Sequence, residues 1–457
     1  MSRGITKTIR VALTVTVVAF GAIPQAIAQN SAISGGFTFT TSVDLDTNPD
    51  LAAVSPGTDL DVSETLGFSV RSETSTQLLE FFGNTDLTFT QTLGGSSTST
   101  FNSPTGTLHY YREAADSNLD LSGSYWTGDV INAFDADPTT ATSIIVDAGT
   151  LTTAKAALVY NWGVNAPLGF SLNASYNQRE YKGITNPLLF DETTSIIGAS
   201  ANIRISPSTQ GTLAAAYKDY VATDAISTNT QTTDYSFSVN HDLANALALT
   251  GNVGYRDKKT TASGISTVEN GLLGGIGLTQ TLTNGSVFGD IQFDGSATNN
   301  STALSFGRSL DLPDGNLTAR VTADFVSGSN VQLLASASYT KQLSDGDISL
   351  DLSQSLYTDN LDQDIKFSTL AVAYQKALNS NAGINLSLDL SRSEDGGAGS
   401  AAALNRATLS ASYSQALTPD WDISVGYSHR QKSGEAISTA NSDSVFLTLT
   451  RGLQFGF

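Results

Sequence analysis

The chain ends on Arg451-Gly452-Leu453-Gln454-Phe455-Gly456-Phe457, and this stretch decides how the rest is read. Leu453, Phe455 and Phe457 alternate with Gly452, Gln454 and Gly456, the period of a strand with one apolar face. On a soluble protein, a bare terminal strand with a free aromatic end would be an adhesive sheet edge. Further back, Trp421, Ile423, Val425 and Tyr427 alternate with Asp422, Ser424, Gly426 and Ser428 in the same way. Such alternation along a whole chain makes sense if one face meets lipid, the other meets water, and the sheet closes on itself, because an open edge has no hydrogen-bond partners in a bilayer. The expected fold class is all-β: a transmembrane antiparallel up-and-down β-barrel.

A repeat sets the strand number. A bulky residue, three variable residues and Leu precede a short polar turn at Phe306–Leu310 before Pro313-Asp314-Gly315, and at Tyr339–Leu343 before Ser344-Asp345-Gly346. The phrase returns at Tyr374–Leu378 before Asn379-Ser380-Asn381 and at Tyr413–Leu417 before Thr418-Pro419-Asp420, with weaker copies at Leu278–Leu282 and Val239–Leu243. An interval of roughly 30–40 residues is one membrane hairpin with its two connections. No 3.6-residue period supports a helical solenoid. Tight Asp-Gly, Asn-Gly and Pro-Asp turns alternate with longer connections at 47–58, 94–103, 131–147, 222–230, 393–402 and 431–441. Short turns on one side and long loops on the other give about 22 strands, roughly 20–24, with the short side and both termini in the periplasm.

These features resemble the bacterial outer-membrane β-barrel superfamily. Its members end on an alternating aromatic strand read by the barrel-assembly machinery. The resemblance therefore implies that Leu453, Phe455 and Phe457 form a C-terminal assembly signal, with that machinery a partner. The stretch after the first strand, Asp44-Leu45-Asp46-Thr47-Asn48-Pro49-Asp50, is similar to one in porin-like barrels, some of them associated with exopolysaccharide systems.

At the other end, Arg3, Lys7 and Arg10 precede the apolar run Val11–Ile23 and the small-x-small site Ala26-Ile27-Ala28. This reads as a cleaved signal peptide over 1–28, followed by Gln29 and not a lipoprotein cysteine. The apolar run falls short of the roughly 20 residues a spanning helix needs. Residues 29–36 are then a short periplasmic segment and 37–457 the barrel, with no plug domain, periplasmic domain or passenger expected.

Charged residues are only 14% of the chain, against about 25% in soluble proteins, which suits an outer belt that cannot carry charge. Losing Arg3, Lys7 and Arg10 leaves 20 basic against 43 acidic groups, net −23, which excludes nucleic acid as a partner. Acidic groups confined to lumen and loops favour cations or neutral solutes. The absence of cysteine removes disulfides and thiol chemistry.

Aromatic residues group at strand ends. Tyr125, Trp126, Tyr255, Tyr357 and Tyr427 fall near outer ends, and Trp162, Tyr339, Tyr374, Tyr413 and Trp421 near inner ends, as two girdles. The oxygen-bearing Asp44, Asp46, Asn48 and Asp50 are spaced as in a calcium loop, although Pro49 replaces the usual glycine and Ser55 the bidentate glutamate. With those departures the stretch reads first as an acidic loop at the mouth, Ca2+ is the weaker alternative, and no other cofactor is expected. Acidic groups at Asp135, Asp137, Asp191, Glu192, Asp359, Asp362, Asp364, Glu394 and Asp395 read first as solvated loops; the functional alternative is divalent-cation bridging to lipopolysaccharide, or cation steering. His109, His241 and His429 have no local triad partners, so no enzyme is expected.

The functional expectation is an outer-membrane, porin-like pore passing polar or cationic solutes, including polysaccharide. The alternative is a scaffold barrel whose lumen holds a lipoprotein or surface polymer. An outer-membrane hydrolase ranks below both.

Overall fold

The computed structural model describes residues 32–130, 149–185, 189–243, 246–295, 300–327, 331–358, 364–395, 403–435 and 437–456. The proposed leader, the loop 131–147 and Phe457 lie outside the described residues. No helix among the described residues is long and apolar enough to cross a membrane.

The described chain consists of 22 strands. The first eight are β1 (Ala32–Asp46), β2 (Asp59–Glu73), β3 (Gln77–Thr92), β4 (Ser97–Ala114), β5 (Ser117–Asp129), β6 (Thr150–Trp162), β7 (Leu168–Lys182) and β8 (Glu192–Ser206). There follow β9 (Thr209–Ala222), β10 (Asn229–Leu243), β11 (Leu247–Ala262), β12 (Ile265–Leu282), β13 (Gly285–Asp294), β14 (Ser301–Leu312) and β15 (Gly315–Val326). The last seven are β16 (Gln332–Leu343), β17 (Gly346–Thr358), β18 (Asp364–Asn379), β19 (Ala382–Asp395), β20 (Leu404–Thr418), β21 (Trp421–Gly434) and β22 (Ile437–Gly456).

Each strand pairs antiparallel with the next, and β1 pairs with β22 from Ser34↔Gly456 to Asp46↔Ser444, which closes the sheet. Closure gives every strand two neighbours, so no ladder edge faces lipid. At a strand spacing of about 4.8 Å and a tilt near 40°, the backbone cylinder is roughly 40–45 Å across. Connections after even-numbered strands are two to five residues long, and this end is the turn end. The other is the loop end.

The strands overrun the expected boundaries. The stretches 94–103 and 431–441, expected as loops, are mostly ladder: β4 begins at Ser97, and β21 and β22 pair as far as Gly434↔Ile437. The apolar alternation stops where lipid stops, but backbone pairing continues into water. On β11 the outward row Leu247, Leu249, Gly251, Val253 and Tyr255 gives way to Asp257 and Lys259, and Asp257 lies six residues before Ser263 of the Ser263–Gly264 turn. Both turn residues have positive φ, 50° and 77°, as a two-residue hairpin matched to strand twist requires.

The first strand also starts before residue 37, because Ala32–Gly36 pair with β2. Gly35 is not a breaker here. It lies under the ring of Phe455, which a Cβ would strike. A bulge between β3 and β4 falls beside Pro104, which lacks the N–H that a continuous ladder needs.

Candidate functional site

Alternation assigns each side chain a side. Tyr339, Leu350, Val372, Leu388 and Leu409 are cross-strand partners in one register row, and Leu409 is exposed on the outer face. The residues between them therefore face the lumen. The lumen is the candidate functional site, and its wall is chemically uneven.

One part is held by ion pairs. On β11, Arg256 takes Asp234 of β10 through Nε (2.7 Å) and Nη2 (3.0 Å), and reaches Asp294 of β13 through Nη1 (2.9 Å). It passes across β12 at Gly271, its register partner, where no side chain stands in the way. Arg320 of β15 donates to Asp290 of β13 at 2.7 Å and to Ser305 of β14 at 2.8 Å. Between β2 and β5, Arg71 bonds Glu73 (2.7 Å) and Glu80, and His109 Nε2 lies 3.2 Å from Asp120. Tyr220 donates to Glu192 at 3.0 Å, beside Arg179.

The other part is a polar chamber of about 1550 Å³ toward the turn end, running from β16 through β22 to Thr40 of β1. Gln342, Asp347, Gln375, Asn385, Asp422 and Thr448 contribute to its wall. At the chamber's rim, Lys376 Nζ of β18 lies 3.1 Å from Asp345 in the β16–β17 turn and holds its carboxyl below the ordinary value.

The acidic stretch after β1 is not drawn into one cage. Arg430 and the Ser442 hydroxyl both donate to Asp46, which also accepts the Asn48 N–H at 2.9 Å. Asn48 spends its amide on the carbonyls of Ala52 (2.9 Å) and Asn441 (3.0 Å). Asp44 faces Asp61 across β1 and β2, and Asp50 is exposed. The Arg430–Asp46 ion pair and the bonds of Ser442 and Asn48 staple the loop to β21 and β22. Among the described residues no three acidic or histidine side chains converge on a metal position.

The aromatic set divides. Tyr125, Tyr255 and Tyr427 are exposed on the outer face. Trp162 stacks on Tyr160 (5.5 Å) and Phe170 (5.2 Å) at the turn end, and Trp421 carries Arg451 over its ring at 5.6 Å. Tyr339, Tyr374 and Tyr413 share outward register rows with Leu350, Ile348 and Val425. Trp126 is a correction. As the chain neighbour of Tyr125 it must point inward, and it packs on buried Val130, Leu151 and Leu189 with Tyr181 and Ile184. The side chain of Tyr357 lies outside the described residues. Of the terminal signal, Leu453 is exposed outward and Phe455 packs 5.8 Å from Phe37.

His429 Nδ1 lies 2.8 Å from Asp443, which also accepts from Tyr427 at 2.6 Å. The cross-strand neighbour of His429 on the other side is the aliphatic Leu409, so this polar pair lies on the outer face. His241 pairs with Thr209 at 2.8 Å.

One polar group escaped the sequence reading. Glu64 occupies an outward position of β2 between Val62 and Leu66, and the hydroxyl of buried Thr41 donates to it at 3.0 Å. The alternation Leu60, Val62, Glu64, Leu66, Phe68 carried the signal.

No protein-family model and no curated protein matches this sequence. Among solved structures, the chain resembles the FrpB iron transporter of Neisseria meningitidis (F5-1 variant), with a TM-score of 0.61 at 11% identity over 94% of this chain and 83% of that one. It also resembles the copper transporter OprC (TM-score 0.53, 10% identity, 94% and 80% covered). A third likeness is to the siderophore receptor PirA of Pseudomonas aeruginosa (TM-score 0.52, 9% identity, 92% and 80% covered). The chain thus shares its closed-barrel fold with these transporters and this receptor, and identities this low establish the fold alone.

Proposed function

We propose that this protein is an outer-membrane conduit for polar or cationic solutes, with its turn end and both termini in the periplasm and its loop end outside. The observation that carries this reading is the lumen: a closed wall of 22 strands with hydroxyl, amide and charged side chains inward, and no described segment that fills it. Side chains alone do not close a barrel of this strand number. The solved transporters that share the fold support passage, without naming the cargo here. A catalytic role is not proposed, since the His429–Asp443 pair looks outward beside Leu409. The outward polar row beyond the lipid belt, with Asp257, Lys259, Arg392 and Glu394, would contact lipopolysaccharide headgroups.

Single-channel recording of the refolded barrel in a planar bilayer tests the proposal. A steady conductance supports it. Silence from a folded, heat-modifiable barrel contradicts it and points to a lumen occupied by a lipoprotein or surface polymer.

A further inference from the structure

We infer that the wall formed by β16 to β22 gives the lumen a cation preference toward its turn end, through Asp347, Asp351 and Asp422. This rests on the reading of the barrel as a conduit.

The argument is one of pairing. Four lumen carboxylates of β10 to β13 stand against bases: Asp234 faces Arg256 directly across β10 and β11, Asp290 and Asp294 are held by Arg320 and Arg256, and Glu269 lies 3.2 Å from Lys258. Such pairs present little net charge to a passing ion. On β16 to β22 the cross-strand partners are neutral. Asp347 faces Gln342 and Gln375, Asp351 faces Ser338 and Ala371, and Asp422 faces Ala416 and Thr450. The described bases of this wall that face the lumen, Arg406, Arg430 and Lys432, sit at the loop end, and Arg430 is engaged by Asp46. Toward the turn end, Lys341 and Lys376 border the chamber from outward register positions, Lys376 being held by Asp345, and the inward-facing Asp347 and Asp422 stand among amides and hydroxyls. In a water-filled but low-dielectric passage, such charges concentrate cations and repel anions. A mobile cation supplies the counter-charge that Arg256, Lys258 and Arg320 supply on β10 to β15.

The test is the cation-over-anion permeability ratio, read from the reversal potential in a KCl gradient for the full mature chain. The triple variant Asp347→Asn/Asp351→Asn/Asp422→Asn should lower the ratio by about two-fold or more, as expected when fixed charges leave the path. Glu64→Gln/Asp257→Asn, which removes carboxylates from the outer face, should leave it unchanged. If the triple variant does not fold, the single changes Asp347→Asn and Asp422→Asn should each lower the ratio part of the way. A conducting barrel whose ratio is insensitive to these changes overturns the inference and leaves the conduit standing. Folded barrels of both kinds that never conduct overturn the conduit, and this inference falls with it.

Discussion

Replacing Arg256 by Met separates two contributions to the stability of the ion-paired wall. Arg256 makes three contacts of 2.7–3.0 Å to two carboxylates, with its side chain 30% exposed and theirs 33% and 35%. At charge separations near 4 Å and an effective dielectric of 20, each pair attracts by about 4 kcal/mol before desolvation is subtracted. Partial solvent exposure and the cost of desolvating three charges reduce the net effect to about 2 kcal/mol. Most of the loss in Arg256→Met comes from leaving Asp234 and Asp294 without their shared cation. Neutralising them in Arg256→Met/Asp234→Asn/Asp294→Asn should recover about half of the loss. The assay is denaturant unfolding of the refolded barrel in lipid vesicles, followed by the fluorescence of Trp126, Trp162 and Trp421. A triple variant no more stable than Arg256→Met refutes the reasoning, as does a single variant within about 0.5 kcal/mol of the parent, the range of an inconsequential surface change.

Three further outcomes follow from the geometry. Glu64 sits in an aliphatic outward row, so Glu64→Gln should raise bilayer stability by about 1 kcal/mol, carboxylates costing less than bases there; a loss in the same vesicle assay would show that the carboxylate is needed. Gly264→Val places a β-branched residue at φ 77° in a tight hairpin and should cost about 1–2 kcal/mol, whereas Ser263→Gly should be neutral or stabilising. Equal unfolding midpoints for the two would count against the turn assignment. Lys376 depresses the titration of Asp345, so the stabilisation from this pair is present above the ordinary carboxylate range and fades as pH falls through the lower folded value. Asp345→Asn should therefore match the parent in strong acid and fall slightly below it at neutral pH and low salt; a difference that persists at high salt would contradict the exposed-pair reading.

The barrel was legible because its governing period is local: two residues suffice to define a face, and Leu453-Gln454-Phe455 shows it as plainly in sequence as in the register against β1. Strand limits were less legible. At Ser97 and Gln431 the outward residues are already polar, so the pattern vanishes while the backbone ladder continues. Trp126 was misplaced because proximity to Tyr125 was read without the sign change between neighbours. The lumen pairs were hidden for another reason. Arg256 and Asp294 come together only when β12 places Gly271 between them, a relation set by register across three strands. Arg430 and Asp46 meet only because the first and last strands close the ring, bringing positions 384 residues apart into contact.

The ladder's overrun at the loop end leaves a collar of paired strand wetted on both faces. Beyond Tyr255, water reaches Asp257 and Lys259 outside and the lumen inside, so each amide there is guarded by one backbone hydrogen bond and little else. Within the lipid belt, opening an amide would expose it where no water waits. Hydrogen exchange along a single strand such as β11 should therefore be graded, fast near Ala262 and very slow near Val253, with the step between them marking the depth at which the protein enters the membrane.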